Sequence, residues 1–420
     1  MKVCVIGSGG REHALAWRLS ISPSVTKVYA IPGSAAMSDC AELVGIDWQQ
    51  SDHLIRFLKD NHVDLVVVGP EAPLVAGLAD ALNVAGIPVF GPSKAAAQLE
   101  GSKVFAKDLM KKYNIPTAAY GVFHKVDEAK EFIAQTGAPI VVKADGLAAG
   151  KGVVVAMTVE EANAAVEDML SGNRFGDAGS TVVIEEFMEG EEASLLAFVD
   201  GKTVVPMIAS QDHKRIFDGD KGPNTGGMGT YAPAPVLTDT LRDEAMKTIL
   251  EPMVAAMQKE GMPYVGCLYA GLMITPQGPK VVEFNARFGD PETQVVLPLL
   301  DSDLGQIMMA CATGTLTADM VKWKDSSAAC VILASKGYPE TSSKGDVIHG
   351  DIKQHDTTIV FHSGTKLVGE EYVTNGGRVL GVVGLGKDLR TALDRAYGRI
   401  EHINFEGMQY RTDIGAKAFK

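Results

Sequence analysis

The sequence predicts a multidomain protein with α/β structure at its N-terminus and a small α+β domain at its C-terminus. The chain has 420 residues, too many for one hydrophobic core, which indicates about three domains. Over the first hundred residues, apolar runs that end at Gly or Pro alternate with helical patterns. From about Ser326 onward, short strand-like runs dominate and one helical segment follows them.

The N-terminal part is predicted to be a Rossmann-like domain over residues 1–102. Helical segments such as DHLIRFLKD separate the strand-like runs VCVIGSGG, KVYAIPG, DLVVVGPE and IPVFGPS. This alternation is typical of a parallel sheet with right-handed crossovers. We expect residues 103–325 to form a central region and residues 326–420 the C-terminal domain. Close packing is expected because no linker-like segment separates them.

Composition argues against several classes of protein. Apolar residues make up 46% and charged residues 22%, as in ordinary globular proteins. The opening MKVCVIGSGG is too polar for a signal peptide and no run of about 18 apolar residues occurs, so we expect no leader and no membrane segment. The net charge of −13 argues against nucleic-acid binding. Five scattered cysteines without a CxxC pair favour reduced thiols in the cytoplasm: Cys4, Cys40, Cys267, Cys311 and Cys330.

A glycine-rich turn after the first strand is the first candidate site. It reads Gly7-Ser8-Gly9-Gly10-Arg11-Glu12 and opens a helix, so its backbone N–H groups are suited to a phosphate. A dinucleotide-binding motif would need glycine in place of Glu12 and an acid in place of Pro32 and Gly33. The pattern favours a phosphate site over a nicotinamide site, with a turn that binds nothing as the alternative.

A second glycine-rich segment lies between two strand-like runs. Lys143 ends the first run, and the loop Asp145–Gly152 leads into the second run, VVVA. The spacing is not GxxxxGK[ST] and no helix follows, which excludes a Walker A loop. Three glycines and two lysines within ten residues predict a mobile loop that covers a triphosphate, rather than a plain turn.

Oxygen ligands for a metal are predicted on a later strand. Alternation places Glu283 and Asn285 on one face and Phe284 on the other. Carboxylate and amide oxygens suit Mg²⁺, and an exposed face without a ligand is the alternative. Arg287 shares that face if the strand continues, and it is suited to a phosphoryl group or a substrate carboxylate.

Three other segments are candidates for binding. The acidic segment Ile184–Ser194 favours a hinge that contacts adenine and ribose, with a solvated turn as the alternative. The loop Asn224–Gly229 is typical of loops that wrap a small ligand. In the polar segment Ser210–Arg215, His213 is suited to a general base and equally to a polar anchor.

The order of these features resembles the ATP-grasp ligases. Several motifs resemble, more narrowly, the phosphoribosylamine–glycine ligase family: GSGGREHALAW, VGPEAPLVAGLAD, GPSKAAAQLEGSK, KADGLAAGKGV, SQDHKR, GPNTGGMG and EFNARFGDPETQ. With NGGRVLGV and DIG near the C-terminus, the likeness covers essentially the whole chain. It implies an ATP-grasp fold for residues 103–325, with a lid subdomain at about 120–190.

The resemblance also implies roles for four groups of residues. The nucleotide-binding group is Lys103, Lys143, Asp145, Gly146, Gly150, Lys151, Gly152, Glu185, Glu186, Phe187 and Glu192. The substrate-binding group is Gly9, Gly10, Arg11, Glu12, Gly69, Pro70, Glu71 and Asp290. Arg287, Asp212, Lys214, Asn224 and Gly227 would line the reacting centre, and Glu283 and Asn285 would bind the metal.

The implied reaction joins glycine to 5-phosphoribosylamine with ATP and Mg²⁺ or Mn²⁺, through glycyl phosphate, in purine biosynthesis. The strand AGLMI lacks the second metal-binding acid of many ATP-grasp enzymes, which leaves the number of metals open. Only small-molecule partners are expected, and the chain is expected to be a monomer or a weak homo-oligomer. The alternatives are another ATP-grasp carboxylate–amine ligase and a nucleotide sensor without catalysis.

Overall fold

The N-terminal residues form an open parallel sheet in the strand order β3-β2-β1-β4-β5. The computed structural model of the protein describes residues 1–148, 150–172 and 174–420. All four residues of the interior strand Leu65–Val68 are buried, as expected for a parallel strand covered on both faces. The predicted Rossmann-like fold is therefore confirmed. Its elements are β1 Lys2–Gly7, α1 Gly10–Ser20, β2 Lys27–Pro32, β3 Glu42–Leu43, α2 Ser51–Asp60, β4 Leu65–Val68, α3 Glu71–Ala76, α4 Leu78–Val84, β5 Val89–Phe90 and α5 Gln98–Gly101.

A four-stranded antiparallel sheet follows, in the order β6-β9-β7-β8. The glycine-rich loop connects two of its strands, as predicted, and Ala149 of that loop lies outside the described residues. Helices cover one face and enclose a small apolar core of their own, which includes Ile133, Val142 and Val166. The elements are α6 Lys103–Lys112, β6 Tyr120–Phe123, α7 Val126–Thr136, β7 Ile140–Ala144, β8 Val153–Ala156, α8 Val159–Ser171 and β9 Val182–Glu186.

A second antiparallel sheet has the order β11-β10-β16-β17. Within the acidic segment Ile184–Ser194, residues 187–190 cross from the first sheet to the second and separate two strands. The elements are β10 Glu191–Asp200, β11 Val204–Pro206, β12 Gln211–Asp212, β13 Arg215–Phe217, β14 Lys221–Asn224, β15 Gly229–Ala232, α9 Asp239–Ala245, α10 Glu251–Lys259, β16 Val265–Thr275, β17 Gly278–Asn285, α11 Thr293–Val296 and α12 Leu304–Thr313. A π-helical turn, Met246–Leu250, joins α9 to α10.

The C-terminal residues complete a third antiparallel sheet, β12-β15-β18-β23-β20, against which α13 packs. Two of its strands, β12 and β15, come from residues 211–232, so this sheet joins the C-terminal part to the central region. The remaining elements are β18 Ser327–Ala334, β19 His349–Gly350, β20 Thr358–His362, β21 Thr365–Val368, β22 Glu371–Thr374, β23 Arg378–Gly386, α13 Leu389–Ile400 and β24 Ile403–Asn404. Among the described residues, no helix is both long and apolar enough to cross a membrane.

Candidate active site

A cleft of about 670 Å³ opens between the two antiparallel sheets of the central region. Strands β7 and β9 contribute to one wall and β10 and β17 to the other, while α5 and α6 contribute to the lining from the side of the Rossmann-like sheet. Arg378 and Lys417 reach the cleft from the C-terminal part. All major parts of the chain therefore meet at one site.

The N-terminus of α6 holds the start of the glycine-rich loop. Ser102 caps this helix by accepting a hydrogen bond from the N–H of Phe105 at 3.1 Å. The Asp145 carboxylate accepts from the N–H of Lys103 at 2.6 Å, and Lys103 Nζ donates to the Gly146 carbonyl at 2.8 Å. Asp145 thus positions the loop and Lys103, and its side chain is not part of the cleft lining.

Two buried lysines share one buried carboxylate on the floor of the cleft. Glu185 Oε2 lies 3.0 Å from Lys143 Nζ and 3.4 Å from Lys107 Nζ. Lys107 stands four residues after Lys103, so α6 presents both lysines on one face. Burial lowers the pKa of Lys107 to about 8, against the opposing effect of Glu185. One carboxylate cannot neutralise two ammonium groups, so the floor keeps positive charge for an anionic ligand.

Strand β17 carries the predicted oxygen ligands on the opposite wall. Gly271 pairs with Glu283 and Leu272 with Val281, so Val282 is an extra residue in a β-bulge. As a result, Val282 and Glu283 both line the cleft, with Asn285 beside them. Phe284 packs in the apolar core and also contributes to the lining, so the predicted separation of faces is incomplete. Burial raises the pKa of Glu283, but the cations Lys214, Lys143, Lys103 and Arg287 outweigh it and hold the pKa below its usual range. Glu283 is therefore ionised at neutral pH.

These residues fit a divalent metal that also binds a nucleotide. No group of three His, Cys, Asp or Glu side chains within the described ranges is placed to hold a metal by itself. Glu283 and Asn285 offer two hard oxygen ligands on one face of the cleft. Magnesium sites in nucleotide-binding enzymes commonly use one or two protein oxygens together with phosphates and water. On the preceding strand, Gly271 lies opposite Glu283, and a Cβ at Gly271 would lie 3.3 Å from Glu283 Cγ. This strand therefore leaves space for the Glu283 side chain and contributes no further metal ligand at that position.

A chain of ion pairs links Arg287 to the N-terminal part. Arg287 Nη2 lies 2.8 Å from Glu100 Oε1, and its Nε lies 3.3 Å from Glu71 Oε2. Glu71 also faces Arg11 Nη1, at 4.0 Å. The strand ends at Asn285, so Arg287 reaches the cleft from the following turn and not by continued alternation. Glu71 therefore connects Arg11, a predicted substrate-binding residue, with Arg287, which is predicted to line the reacting centre.

The turn predicted to bind a phosphate already binds a carboxylate of the protein itself. The Glu12 carboxylate accepts from the N–H of Gly9 at 2.7 Å and from Arg11 Nε at 2.6 Å. Any side chain at Gly7 or Gly69 would overlap Glu12. These glycines therefore make room for Glu12, which is only 2% exposed and lies outside the cleft lining.

The segments predicted to surround the reacting centre meet at the cleft. Lys214 Nζ lies 2.6 Å from Glu192 Oε2, which joins the polar segment to β10. A Cβ on Gly227 would lie 2.9 Å from Asp212 Oδ1, so glycine allows the loop to approach that carboxylate. Burial and the nearby Glu292 raise the pKa of Asp212. His213 is buried between the Gly229 carbonyl and the Gly415 N–H, at 3.1 and 3.3 Å, which makes it a polar anchor.

Most of the predicted residues come together in this cleft. Those that line it are Arg11, Glu71, Lys103, Lys143, Gly146, Gly150, Glu185, Glu186, Phe187, Glu192, Asp212, Lys214, Asn224, Glu283, Asn285, Arg287 and Asp290. Those outside the lining are Gly9, Gly10, Glu12, Gly69, Pro70, Asp145, Lys151, Gly152 and Gly227. Most of the second group are residues of turns or of the glycine-rich loop.

Several polar lining residues were missed by sequence reasoning, among them Glu100, Lys107, Asp220, Tyr269, Glu292, Arg378 and Lys417. The helical spacing from Lys103 could have identified Lys107. Glu292 accepts a hydrogen bond from the Tyr269 hydroxyl at 2.6 Å, a contact between residues on different elements. The other missed residues carry no local signal either, because folding alone brings them to the cleft.

Comparison with solved structures defines the class of protein. A biotin carboxylase–βγ-ATP complex from Campylobacter jejuni matches with a TM-score of 0.75 at 14% identity, over 97% of this chain and 92% of that one, which shows the fold alone. A phosphoribosylamine–glycine ligase from Thermotoga maritima matches with a TM-score of 0.86 at 34% identity, over 99% of this chain and 100% of that one. The architecture is that of the ATP-grasp enzymes.

Sequence comparisons then identify the family. Three models of phosphoribosylglycinamide synthetase match in succession: the N domain at residues 1–100, the ATP-grasp (A) domain at 101–293 and the C domain at 328–417. Phosphoribosylamine–glycine ligases of Halalkalibacterium halodurans and Neisseria meningitidis serogroup A are each 53% identical over 100% of this chain and 97% and 99% of those proteins. The chain belongs to the phosphoribosylamine–glycine ligase family.

Proposed function

We propose that this chain forms glycinamide ribonucleotide from 5-phosphoribosylamine, glycine and ATP, through glycyl phosphate, in purine biosynthesis. It is an ATP-dependent ligase of the ATP-grasp class, and its small-molecule substrates are those of its family. The observation that carries the proposal is the cleft itself. Buried lysines, an ionised Glu283 and the Arg287–Glu71–Arg11 chain of ion pairs converge there, within a sequence that matches the family over its full length.

The reaction requires two transfers and no side-chain nucleophile. A glycine carboxylate oxygen attacks the γ-phosphorus of ATP, and the bond to ADP breaks to leave glycyl phosphate. The amine of phosphoribosylamine then attacks the glycyl carbonyl carbon, expels phosphate and loses a proton. Both transfers depend on positioning and on the neutralisation of phosphate charge.

The residues of the cleft are assigned to these tasks as follows. Lys103, Lys143 and Lys107 bind the ATP phosphates, and the loop 145–152 excludes water that would hydrolyse glycyl phosphate. Glu283 and Asn285 hold the metal, Mg²⁺ or Mn²⁺, which when bound neutralises phosphate charge. Arg287, which Glu100 and Glu71 hold in place, faces the reacting groups. Arg11, Glu71 and Asp290 lie on the phosphoribosylamine side.

We further propose that the domains divide near 102/103 and 325/326, with a lid at about 120–190. The separate apolar core of the β6-β9-β7-β8 sheet supports a lid of this kind. A cytoplasmic location and a monomer or weak homo-oligomer remain predictions from the sequence.

The direct test is ADP release by the purified protein with Mg-ATP. Glycine alone, phosphoribosylamine alone and both together are compared. We expect release only with both substrates. Release with one or neither would indicate another substrate pair or uncoupled hydrolysis, and bound ATP without any release would indicate a nucleotide sensor.

Arg11→Met is expected to raise the KM for phosphoribosylamine selectively, by about 10-fold or more, because one charge-assisted contact is lost. Steady-state kinetics with each substrate varied in turn measures the effect. The exposed Arg56→Met on α2 is the matched control. An effect confined to the KM for ATP would contradict the assignment and place the nucleotide near the N-terminal part.

When nucleotide binds at pH 8, Lys107 is expected to take up as much as about half a proton from the solvent. Its pKa of about 8 leaves it roughly half protonated before binding, and phosphates favour the charged form, so binding raises the pKa. This contribution to affinity is therefore lost as pH rises above 8. Calorimetric titration with Mg-ADP in buffers of different ionisation enthalpy measures the uptake. The same uptake in Lys107→Met would show that another group is responsible.

A further inference from the structure

The C-terminal tail holds one wall of the cleft through a buried arginine. Arg411 is only 1% exposed, yet its guanidinium lies 2.7 Å from Asp413 Oδ1 and 2.9 Å from Asp220 Oδ1. It also donates to the Arg215 carbonyl at 3.1 Å. We call residues 411–417 the C-terminal strap. They join the end of the chain to a hairpin almost two hundred residues earlier.

Hydrogen bonds from backbone N–H groups to aspartate side chains reinforce this connection. The N–H of Gly219 donates to Asp413 at 2.9 Å, and the N–H of Thr412 donates to Asp218 at 2.8 Å. The hairpin tip needs such support, because Asp220 has a φ of 55° in the left-handed region, which is unfavourable for a residue other than glycine. The strap therefore fixes the β13–β14 hairpin, whose Arg215 and Asn224 line the cleft.

Lys417 places a partly free ammonium group at this corner. Its Nζ lies 2.9 Å from Asp220 Oδ2, and the side chain is 31% exposed and lines the cleft. The Asp220 carboxylate also forms an ion pair with Arg411, so it does not fully neutralise the charge of Lys417. An ammonium group has three N–H donors, and the ion pair with Asp220 uses one. Arg215 lies in the lining with Lys417 and Asp220, so two cationic side chains and one carboxylate face the cleft at this corner.

The opposite side of this corner is the glycine-rich loop. A Cβ on Gly150 would lie 3.9 Å from the Thr225 carbonyl, next to the hairpin. A ligand enclosed between the loop and the hairpin would therefore lie within the field of Lys417. We propose that Lys417 is a phosphate-binding residue of the ligase, which the C-terminal strap holds at the cleft. This inference rests on the proposed function, since both ATP and phosphoribosylamine carry phosphate.

Direct binding measurements on the full-length chain test this role. Lys417→Met is titrated with Mg-ADP and, separately, with ribose 5-phosphate, beside Lys417→Arg and the exposed tail variant Lys420→Met. We expect Lys417→Met to weaken one of the two ligands by about 10-fold, which identifies the source of the phosphate. Lys417→Arg should restore most of the affinity, and Lys420→Met should behave as the wild type. The KM for glycine should not change.

Unchanged affinity for both ligands in Lys417→Met would overturn the proposal, as would a failure of Lys417→Arg to restore binding. A parallel rise in the KM for glycine would indicate general distortion of the site and would also count against it. The binding measurement does not involve turnover. If ADP release by the wild type did not require phosphoribosylamine, the proposed reaction would be refuted, but the binding test of Lys417 would still apply.

The strap itself is tested with Arg411→Met. We expect faster amide exchange in residues 213–222 and unchanged exchange in the parallel sheet of the N-terminal part. Unchanged exchange in the hairpin would show that the strap does not hold it.

Discussion

Replacing Glu283 with Gln is expected to lower turnover by about 10²- to 10³-fold, as loss of a key electrostatic contact at a reacting centre commonly does. Four cations surround this carboxylate and keep it ionised, so it is available to a metal at neutral pH. Gln keeps the shape of the side chain and removes the charge. Folding should therefore be largely retained, and the loss should appear in kcat with a higher requirement for Mg²⁺ or Mn²⁺.

The measurement is ADP release at increasing metal concentration, with the exposed Glu251→Gln on α10 as the matched control. Partial recovery at high metal concentration would support weakened metal binding. Near-normal activity at ordinary metal concentration would falsify the metal assignment. Asn285→Ala should show the same metal dependence with a smaller loss, because a neutral amide ligand contributes less charge.

Lys143→Met is expected to lower kcat/KM for ATP by about 10- to 100-fold, in line with the loss of one charged hydrogen bond to phosphate. Lys143 is 4% exposed, and its ammonium group is held by Glu185 and by the Val282 carbonyl at 3.1 Å. It is therefore positioned before ATP binds. The Val282 contact also links the floor of the cleft to the bulge beside Glu283.

Varying ATP at saturating glycine and phosphoribosylamine measures this effect. Lys125→Met, which is 75% exposed in the same antiparallel unit, is the control for removal of a lysine charge. An unchanged dependence on ATP would rule out the phosphate contact. Loss of activity without any change in the KM or binding of nucleotide would place Lys143 in the chemical step alone.

The sequence was informative wherever a function depends on residues that are close along the chain. The alternation of apolar runs and helices predicted the parallel sheet, and the glycine-rich loop between two strands was found where it was predicted. Glu283 and Asn285 share a face because side-chain direction alternates along a strand, a local property. The motifs also indicated the family, since they preserve residue order over the whole chain.

Local patterns did not reveal that some of the predicted site residues also have a part in the fold. Gly7 and Gly9 belong to the predicted phosphate turn, and together with Gly69 they surround the Glu12 side chain. Asp145 belongs to the predicted nucleotide loop, yet it binds the backbone at the start of α6. A glycine beside a phosphate and a glycine beside a buried carboxylate have the same sequence pattern, because both require a close approach of backbone to an anion.

By itself, the sequence determined the fold class and the family, since these follow from local periodicity and from motif order. It also predicted a three-part organisation and the chemical types of the site residues. Only the tertiary structure decided which charges neutralise each other. Lys107 with Glu185, Glu100 with Arg287, and Lys417 with Asp220 are each separated by roughly 80 to 200 positions along the chain. Such pairs depend on how sheets and domains pack, and a one-dimensional pattern carries no information about distances between residues so far apart.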